Sequence, residues 1–318
     1  MNRLILGRLF TSRVLIFAQI MLATARLAAA QTGARVAAPV ARSQRDLAPT
    51  GKVSAAAMGR PLLTLIQENS HPLVSKHGVT DSGLPVYDDF NERWLSPAKW
   101  QPVLPNCWGN VLECVRQIRD GKLYLAVRNF GDSNSDTGID YSESEVFFRN
   151  QSAVRSIAAD VSVQNYAGKG CSTNNTDNNQ TQVRMGGAFF NSGSGTAFDD
   201  VTAVIVFLVD VSDPRTITVG GWWGWEDQGN WNFIASYPVG TSLRGSIRWD
   251  KENRQFVASV TAADGTGGTA VMPYTVLETA PPVTANKKLD ATLFTLNCTS
   301  TQTFGEVEAT FDNVMINQ

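Results

Sequence analysis

After residue 85, apolar and polar residues alternate with a period of two in short runs, the signature of strands that bury one side. KLYLAVR at 122–128 puts Leu123, Leu125 and Val127 on one face and Tyr124, Ala126 and Arg128 on the other. Comparable runs follow: EVFFR, VRSIAADVSVQNY with Val154, Ile157, Val161 and Val163 as core, TQVRMGGAFF, TAVIVFLVDVS, TITVGGWWGWE, NWNFIASYPV, SLRGSIRWD, QFVASVTAADG, GTAVMPYTV, LDATLFTLN and GEVEATFDNVMINQ. Turn residues divide them. Asp120-Gly121 supplies the positive φ angles of a tight hairpin, and Asp213-Pro214, Asp250–Asn253 and Asp264–Gly268 mark further turns. About a dozen short strands without an amphipathic helix predict an all-β, two-sheet antiparallel sandwich over residues 85–318. Just inside it, NERWLSPAKW reads as a turn that tucks Trp94 and Trp100 against a first strand, VYDDF.

The stretch 216–237, TITVGGWWGWEDQGNWNFIASY, departs from this pattern because both of its faces are aromatic. It holds Trp222, Trp223, Trp225 and Trp231 of the chain's eight tryptophans. Alternation sets Trp223 and Trp225 on one face and Trp222 on the other. One aromatic face is explained by a core; two ask for another reason. Indole rings beside Glu226, Asp227 and Asn230 suit a sugar, whose apolar ring face stacks on aromatics while amides and carboxylates take its hydroxyls. Rings that merely fill the core or its rim are the alternative.

The first thirty residues place Arg3, Arg8 and Arg13 before an apolar run from Val14 to Ala25, with small residues at Ala28 and Ala30. That is the form of a secretory signal peptide at 1–30; an uncleaved anchor is the runner-up. Residues 31–84 are rich in Ala, Pro, Ser and Thr and read as a disordered linker, with His71 and His77 as solvated residues and Pro61–Gln67 as a short apolar patch. No later stretch is apolar enough to span a membrane. Of 27 bases and 29 acids, four bases fall in 1–30, and six bases and three acids in 31–84. That leaves 17 against 26, a formal charge of −9, for residues 85–318, which argues against nucleic acid or an anionic membrane as partner. Cys107, Cys114, Cys171 and Cys298 are an even number in an exported chain. The short CWGNVLEC segment favours Cys107–Cys114 and hence Cys171–Cys298, with a four-cysteine zinc site as the alternative.

The segments YDDFN…LSPAKW, GKLYLAVR, VRSIAADVSV and EATFDNVMI together resemble secreted bacterial members of the concanavalin A-like lectin/glucanase superfamily. The resemblance implies a jelly roll of two curved sheets, with any ligand on the concave sheet or its rim. It does not bring a catalytic motif. Glucanases of this kind place three acids as E-x-D-x-x-E on one strand, and the nearest approaches here are Glu143 with Glu145 and Glu306 with Glu308. Each pair shares a face about 7 Å apart along the strand, inside the carboxyl separations of about 5–9.5 Å that glycosidases use. Gln182-Val183-Arg184 stands where alginate lyases of this fold carry a Gln-x-His strand, but histidine is absent after residue 77, which also excludes Ser-His-Asp catalysis. Arg116, Arg128, Arg149 and Arg184 fall on predicted strands; two on one sheet would suit an acidic glycan, and scattered they would only discourage edge pairing. A structural calcium ion would take its oxygen ligands from Asp132, Asp136 and Asp140 or from Asp199 and Asp200; no other cofactor is indicated. The leading expectation is a secreted, non-catalytic carbohydrate-binding module with Trp223, Trp225, Trp231, Glu226, Asp227, Asn230 and Arg184 as ligand contacts. Alternatives are a glycoside hydrolase or polysaccharide lyase using Glu143 and Glu145, or a structural envelope protein.

Overall fold

The computed structural model describes residues 84–317, apart from 102–106, 109–110, 131–138, 170–179, 194, 211–212, 226–227 and 297–302. The predicted signal peptide and linker lie outside the described residues. Sixteen strands are described. In chain order they are β1 (Val86–Asp88), β2 (Trp100–Gln101), β3 (Cys107–Trp108), β4 (Val111–Arg119), β5 (Lys122–Phe130), β6 (Ile139–Phe148), β7 (Ser156–Lys169) and β8 (Gln180–Asn191). They continue as β9 (Asp200–Asp210), β10 (Asp213–Trp225), β11 (Gln228–Pro238), β12 (Leu243–Asp250), β13 (Gln255–Ala262), β14 (Gly267–Pro273), β15 (Lys288–Leu296) and β16 (Phe304–Asn317).

The strands form two antiparallel sheets. The first runs β14-β13-β12-β7-β16-β5-β4, with β1 on β16; the second runs β11-β10-β9-β8-β15-β6-β2, with β3 on β6. The chain passes repeatedly from one sheet to the other, and its last two strands take central places: β15 between β6 and β8, β16 between β5 and β7. This is the two-sheet antiparallel sandwich that the alternation predicted, in the jelly-roll form that the resemblance implied. Asp120 and Gly121 have φ of 52° and 69°, and the β4–β5 hairpin closes around them with Arg119 opposite Lys122. Leu123, Leu125, Val127, Ile157, Val161 and Val163 all lie in the core between the sheets.

Two expectations at the start of the domain are separated by the structure. Trp100 is buried, stacks at 5.8 Å on Phe90 and donates its Nε1 proton to Asp88 at 2.6 Å. Trp94 instead is 72% exposed and lies beside the Arg93 guanidinium; the polar turn carries it outward, away from the strand. The cysteine pairing falls outside the described residues: Cys114 is disulfide-bonded, while Cys171, Cys298 and the Cys107 side chain are not described.

The core is not wholly apolar. Thr295 on β15 is fully buried, and its hydroxyl has no hydrogen-bond partner. A buried hydroxyl left unpaired costs about 1–3 kcal/mol. Thr295→Val keeps the shape and removes the group, so the melting temperature is expected to rise by about 2–4 °C for each kcal/mol recovered. A fall on thermal melting would show that the hydroxyl is satisfied in solution.

Candidate functional site

The outer face of the second sheet gathers the chemistry. On each of its strands one alternate set packs into the core, Val183 and Met185 on β8, Ile205 and Phe207 on β9, Leu289 and Ala291 on β15. The other set points away from the first sheet. Strand register then decides which of these outer residues are neighbours. One row across the sheet reads Phe233, Gly220, Val206, Arg184, Asp290, Glu145, and the next reads Trp231, Trp222, Val204, Gly186, Lys288, Phe147. A third brings Leu208, Gln182, Thr292 and Glu143 side by side.

At the β10–β11 end the face is aromatic. Trp222 packs with Val204, Val206 and Leu208, and half-buried Trp231 packs against them. Glycines make room for the rings to lie along the strands. A Cβ at Gly220 would collide with the Trp231 indole, and one at Gly224 or Gly229 with the Trp222 indole. Phe233, next to Gly220, is exposed. Gly220, Gly224 and Gly229 are thus the floor on which the indoles are laid.

Roughly 10 Å away, two strand spacings across, the face is ionic. Arg184 donates from Nε to Asp290 at 2.7 Å, and from Nη2 to Glu143 at 3.2 Å and to the Thr292 hydroxyl at 2.9 Å. The Lys288 ammonium bridges Glu143, Glu145 at 2.6 Å and Asp290 at 3.6 Å. Glu143, Glu145, Arg184 and Asp290 are only 2–3% exposed. Burial first, and the neighbouring Glu143 second, push the Glu145 carboxyl up to about 8 although Lys288 pulls it down. Burial likewise raises Asp290, against the pull of Arg184. Burial and the like charge thus favour a proton shared within the Glu143–Glu145 pair, and a protonated carboxyl donates as well as accepts hydrogen bonds. Beside it, Gln182 is 2% exposed, and its Oε1 has no partner.

The predicted site residues are thereby sorted. Glu143, Glu145 and Arg184 meet in one cluster, buried and ion-paired with one another and with Lys288 and Asp290, because their register sets opposite charges side by side. Trp231 shares their face. Trp223 and Trp225 point inward and pack, half-buried, on the core, with Trp225 donating its Nε1 proton to Ser192 at 2.8 Å; exposed Asn230 is paired with Trp223. Glu226 and Asp227 lie outside the described residues. The arginines do not form a row. Arg128 is on the first sheet, held by Glu306 and Glu113, and Arg149 is in the turn after β6. Glu306, paired with Arg128 and Asn165, is far from the Glu143 cluster, on the other sheet.

Lys288 and Asp290 were missed as site residues, and Gln182 was noted only for the histidine its strand lacks. For Lys288 and Asp290 the signal was present in Lys288-Leu289-Asp290-Ala291-Thr292, where polar groups alternate with core residues, as Glu143 and Glu145 flank buried Ser144 on β6: an i, i+2 charged pair on each strand. Of the calcium candidates, Asp132 and Asp136 are not described, nor is the Asp140 side chain. Asp200 accepts the amide protons of Val283 at 2.8 Å and Thr284 at 2.7 Å, and Asp199 the Thr196 hydroxyl proton at 3.0 Å, so both pin loops. Among the described residues no group of three or more His, Cys, Asp or Glu side chains is arranged to hold a metal ion.

No known protein family and no curated protein matches the sequence. Solved structures similar to this chain include the CBM2 module of Lactobacillus casei BL23 phage J-1 evolved Dit, at 11% identity and a TM-score of 0.35, covering 72% of this chain and 94% of that one. The exoplasmic/lumenal domain of VIP36 in its Ca2+/Man3GlcNAc-bound form is similar at 9% identity and a TM-score of 0.30, covering 71% and 92%. Peanut lectin with a 9mer peptide is similar at 13% identity and a TM-score of 0.28, covering 71% and 97%. At these identities the likeness is one of fold alone.

Proposed function

We propose that this chain is an exported carbohydrate-binding protein whose site is the outer face of the second sheet. The observation that carries the reading is the meeting, on one sheet face, of indoles laid flat on glycines with a buried carboxylate, guanidinium and ammonium cluster. Aromatic planes hold the apolar face of a sugar ring, and a fixed polar group orients its hydroxyls. The N-terminal leader supports export, and among the described residues no helix is long and apolar enough to cross a membrane. Trp231→Ala removes the half-buried ring of the platform. Binding on a glycan array and by calorimetry is expected to weaken about tenfold, the equivalent of about 1.4 kcal/mol, while unfolding stays cooperative. Repeating the titration with calcium and then with chelator tests whether an ion takes part. A folded protein that binds no glycan, or a Trp231→Ala variant that binds as well as the parent, overturns the reading.

A second reading, glycoside hydrolysis at the same face, is favoured by one observation: Glu143 and Glu145 stand side by side on the Lys288 ammonium, where burial pushes the Glu145 carboxyl up to about 8. A general acid and a carboxylate partner have this relation. Release of reducing ends from a polysaccharide, abolished by Glu145→Gln, is its test.

A further inference from the structure

The apolar bed on the outer face is buried without a second layer among the described residues. Val204, Val206, Leu208 and Trp222 form a cluster of their own, and the one further described apolar residue packed on it is Trp231, from the same sheet. Val206, Leu208 and Trp222 are nonetheless 0–3% exposed. Side chains that stand in one layer shield one another's flanks and leave their tips to solvent, so burial this deep needs an element laid on top. Gln182, on the same face, is buried as well, and its Oε1 meets no donor, as it would beneath an apolar cover. Exposure returns at Phe233 on the edge strand β11.

The chain outside the described residues narrows the choice of cover. Residues 131–138, 170–179 and 297–302 read GDSNSDTG, GCSTNNTDNN and NCTSTQ, too polar to cover valine, leucine and tryptophan. Residues 102–106, PVLPN, are tied at both ends to β6 through β2 and β3. Trp222 lies four strands from β6, about 19 Å at the usual spacing, and five residues that must return to β6 reach roughly half of that. Residues 1–30 are lost on export in the reading above. There remain residues 31–83, whose densest apolar run is 61–67, PLLTLIQ, with Leu62, Leu63, Leu65 and Ile66. Residues 68–83 tether it to the sandwich, a reach of roughly 50 Å when extended. The tether starts beside β6, since the Tyr87 ring of β1 packs on Phe148 at 5.5 Å, and it is long enough to cross the sheet. Charge favours the contact: residues 31–84 carry six bases against three acids, and residues 85–318 a formal charge of −9. We infer that residues 61–67 dock on the outer face of the second sheet, over Val204, Val206, Leu208 and Trp222, and compete there with the glycan. The inference rests on the carbohydrate-binding reading above and adds its regulation. A tethered segment acts at an effective concentration of about millimolar, so the glycan has to displace it, and apparent affinity falls with the fraction of chains whose face is open.

The test compares the exported chain with a variant carrying Leu62→Ser, Leu63→Ser, Leu65→Ser and Ile66→Ser, four changes outside the sandwich. The probe of the open face is the dye 8-anilinonaphthalene-1-sulfonate, which binds exposed apolar surface. The variant is expected to bind several-fold more dye than the parent while its unfolding stays cooperative, and a synthetic peptide of residues 58–70 should displace that dye. Calorimetric titration with a glycan that the parent binds should show about tenfold tighter binding by the variant. Equal dye binding by parent and variant overturns the inference and leaves the carbohydrate-binding reading standing; if light scattering then finds both as dimers, a second copy is the cover. A variant that gains dye but binds the glycan no more tightly overturns the competition. Gain of dye with no glycan bound by either protein overturns the carbohydrate-binding reading, and the competition with it, and leaves the docking standing.

Discussion

Arg184→Met is expected to lower the melting temperature by about 10 °C, because it strands two buried carboxylates. Arg184 supplies the 2.7 Å contact to Asp290 and the 3.2 Å contact to Glu143, and all three side chains are 2–3% exposed. Taking one partner from a buried ion pair costs about 3–5 kcal/mol, since the remaining charge keeps its desolvation penalty and loses its compensation. For a domain of this size each kcal/mol moves the midpoint by about 2–4 °C. The cost has a pH signature. Arg184 is the largest influence that holds the Asp290 carboxyl down against burial, so its removal lets that carboxyl rise further above the unfolded value. A group whose folded pKa is raised adds stability at low pH and loses it as pH climbs. The deficit of Arg184→Met relative to the parent should therefore be smallest near pH 4 and grow toward neutrality. Arg184→Met combined with Asp290→Asn should recover part of the loss, since one stranded charge is gone. Parallel melts of the parent, single and double variants from pH 4 to 8 read all three effects. A single variant within about 0.5 kcal/mol of the parent would mean that the cluster is held together by other contacts.

The sandwich was legible in the sequence because its cause is local: a period of two, broken by Asp-Gly and Asp-Pro turns, is written in consecutive residues. The ionic cluster is not local. Glu143, Arg184 and Asp290 are brought together only by the pairing of β6, β15 and β8, strands that lie far apart in the chain. Register of that kind leaves a trace in the sequence only as i, i+2 charges on each strand, and such pairs more often mark a solvated face. The aromatic end shows the opposite balance. Alternation correctly separated Trp222 from Trp223 and Trp225, yet which set faced the core depended on the neighbouring strand. The outer surface of β9, with Val204, Val206 and Leu208, gave Trp222 an apolar bed on the side away from the core. Glycine spacing was the clue available: Gly220, Gly224 and Gly229 are where a ring crosses the backbone. Trp94 and Trp100, six residues apart in one turn, show the limit most plainly. Only the one that reached Asp88 and Phe90 was buried.

Lys287→Met is expected to stabilise the protein by a few kcal/mol at neutral pH, and the gain should vanish in alkali. Lys287 precedes β15 and is 1% exposed. Its ammonium has one hydrogen-bond acceptor in the described contacts, the Gln151 carbonyl at 2.9 Å, and lies 4.7 Å from the Phe189 ring centre. Burial dominates, and lowers the amine from 10.5 to about 7 in spite of the pull of Asp200. Between about pH 7 and 10.5 the unfolded chain binds a proton there that the folded chain does not. Stability carried by this group therefore rises with pH across that window and is lost as pH falls toward 7. At about 1.4 kcal/mol per pH unit the whole window is worth on the order of 4–5 kcal/mol, as an upper bound. Methionine fills a similar volume without a charge to desolvate. The Gln151 carbonyl keeps the Val154 amide as donor at 3.2 Å, so the substitution leaves it satisfied. Because Glu145 and the tyrosines also titrate in alkali, the informative quantity is the difference between parent and variant, measured by denaturant melts at several pH values. A gap that closes steadily from pH 7 to 10.5 identifies Lys287 as the buried proton acceptor. A gap of constant size, or a variant less stable than the parent at pH 7, would mean that the ammonium stays charged and compensated where it lies.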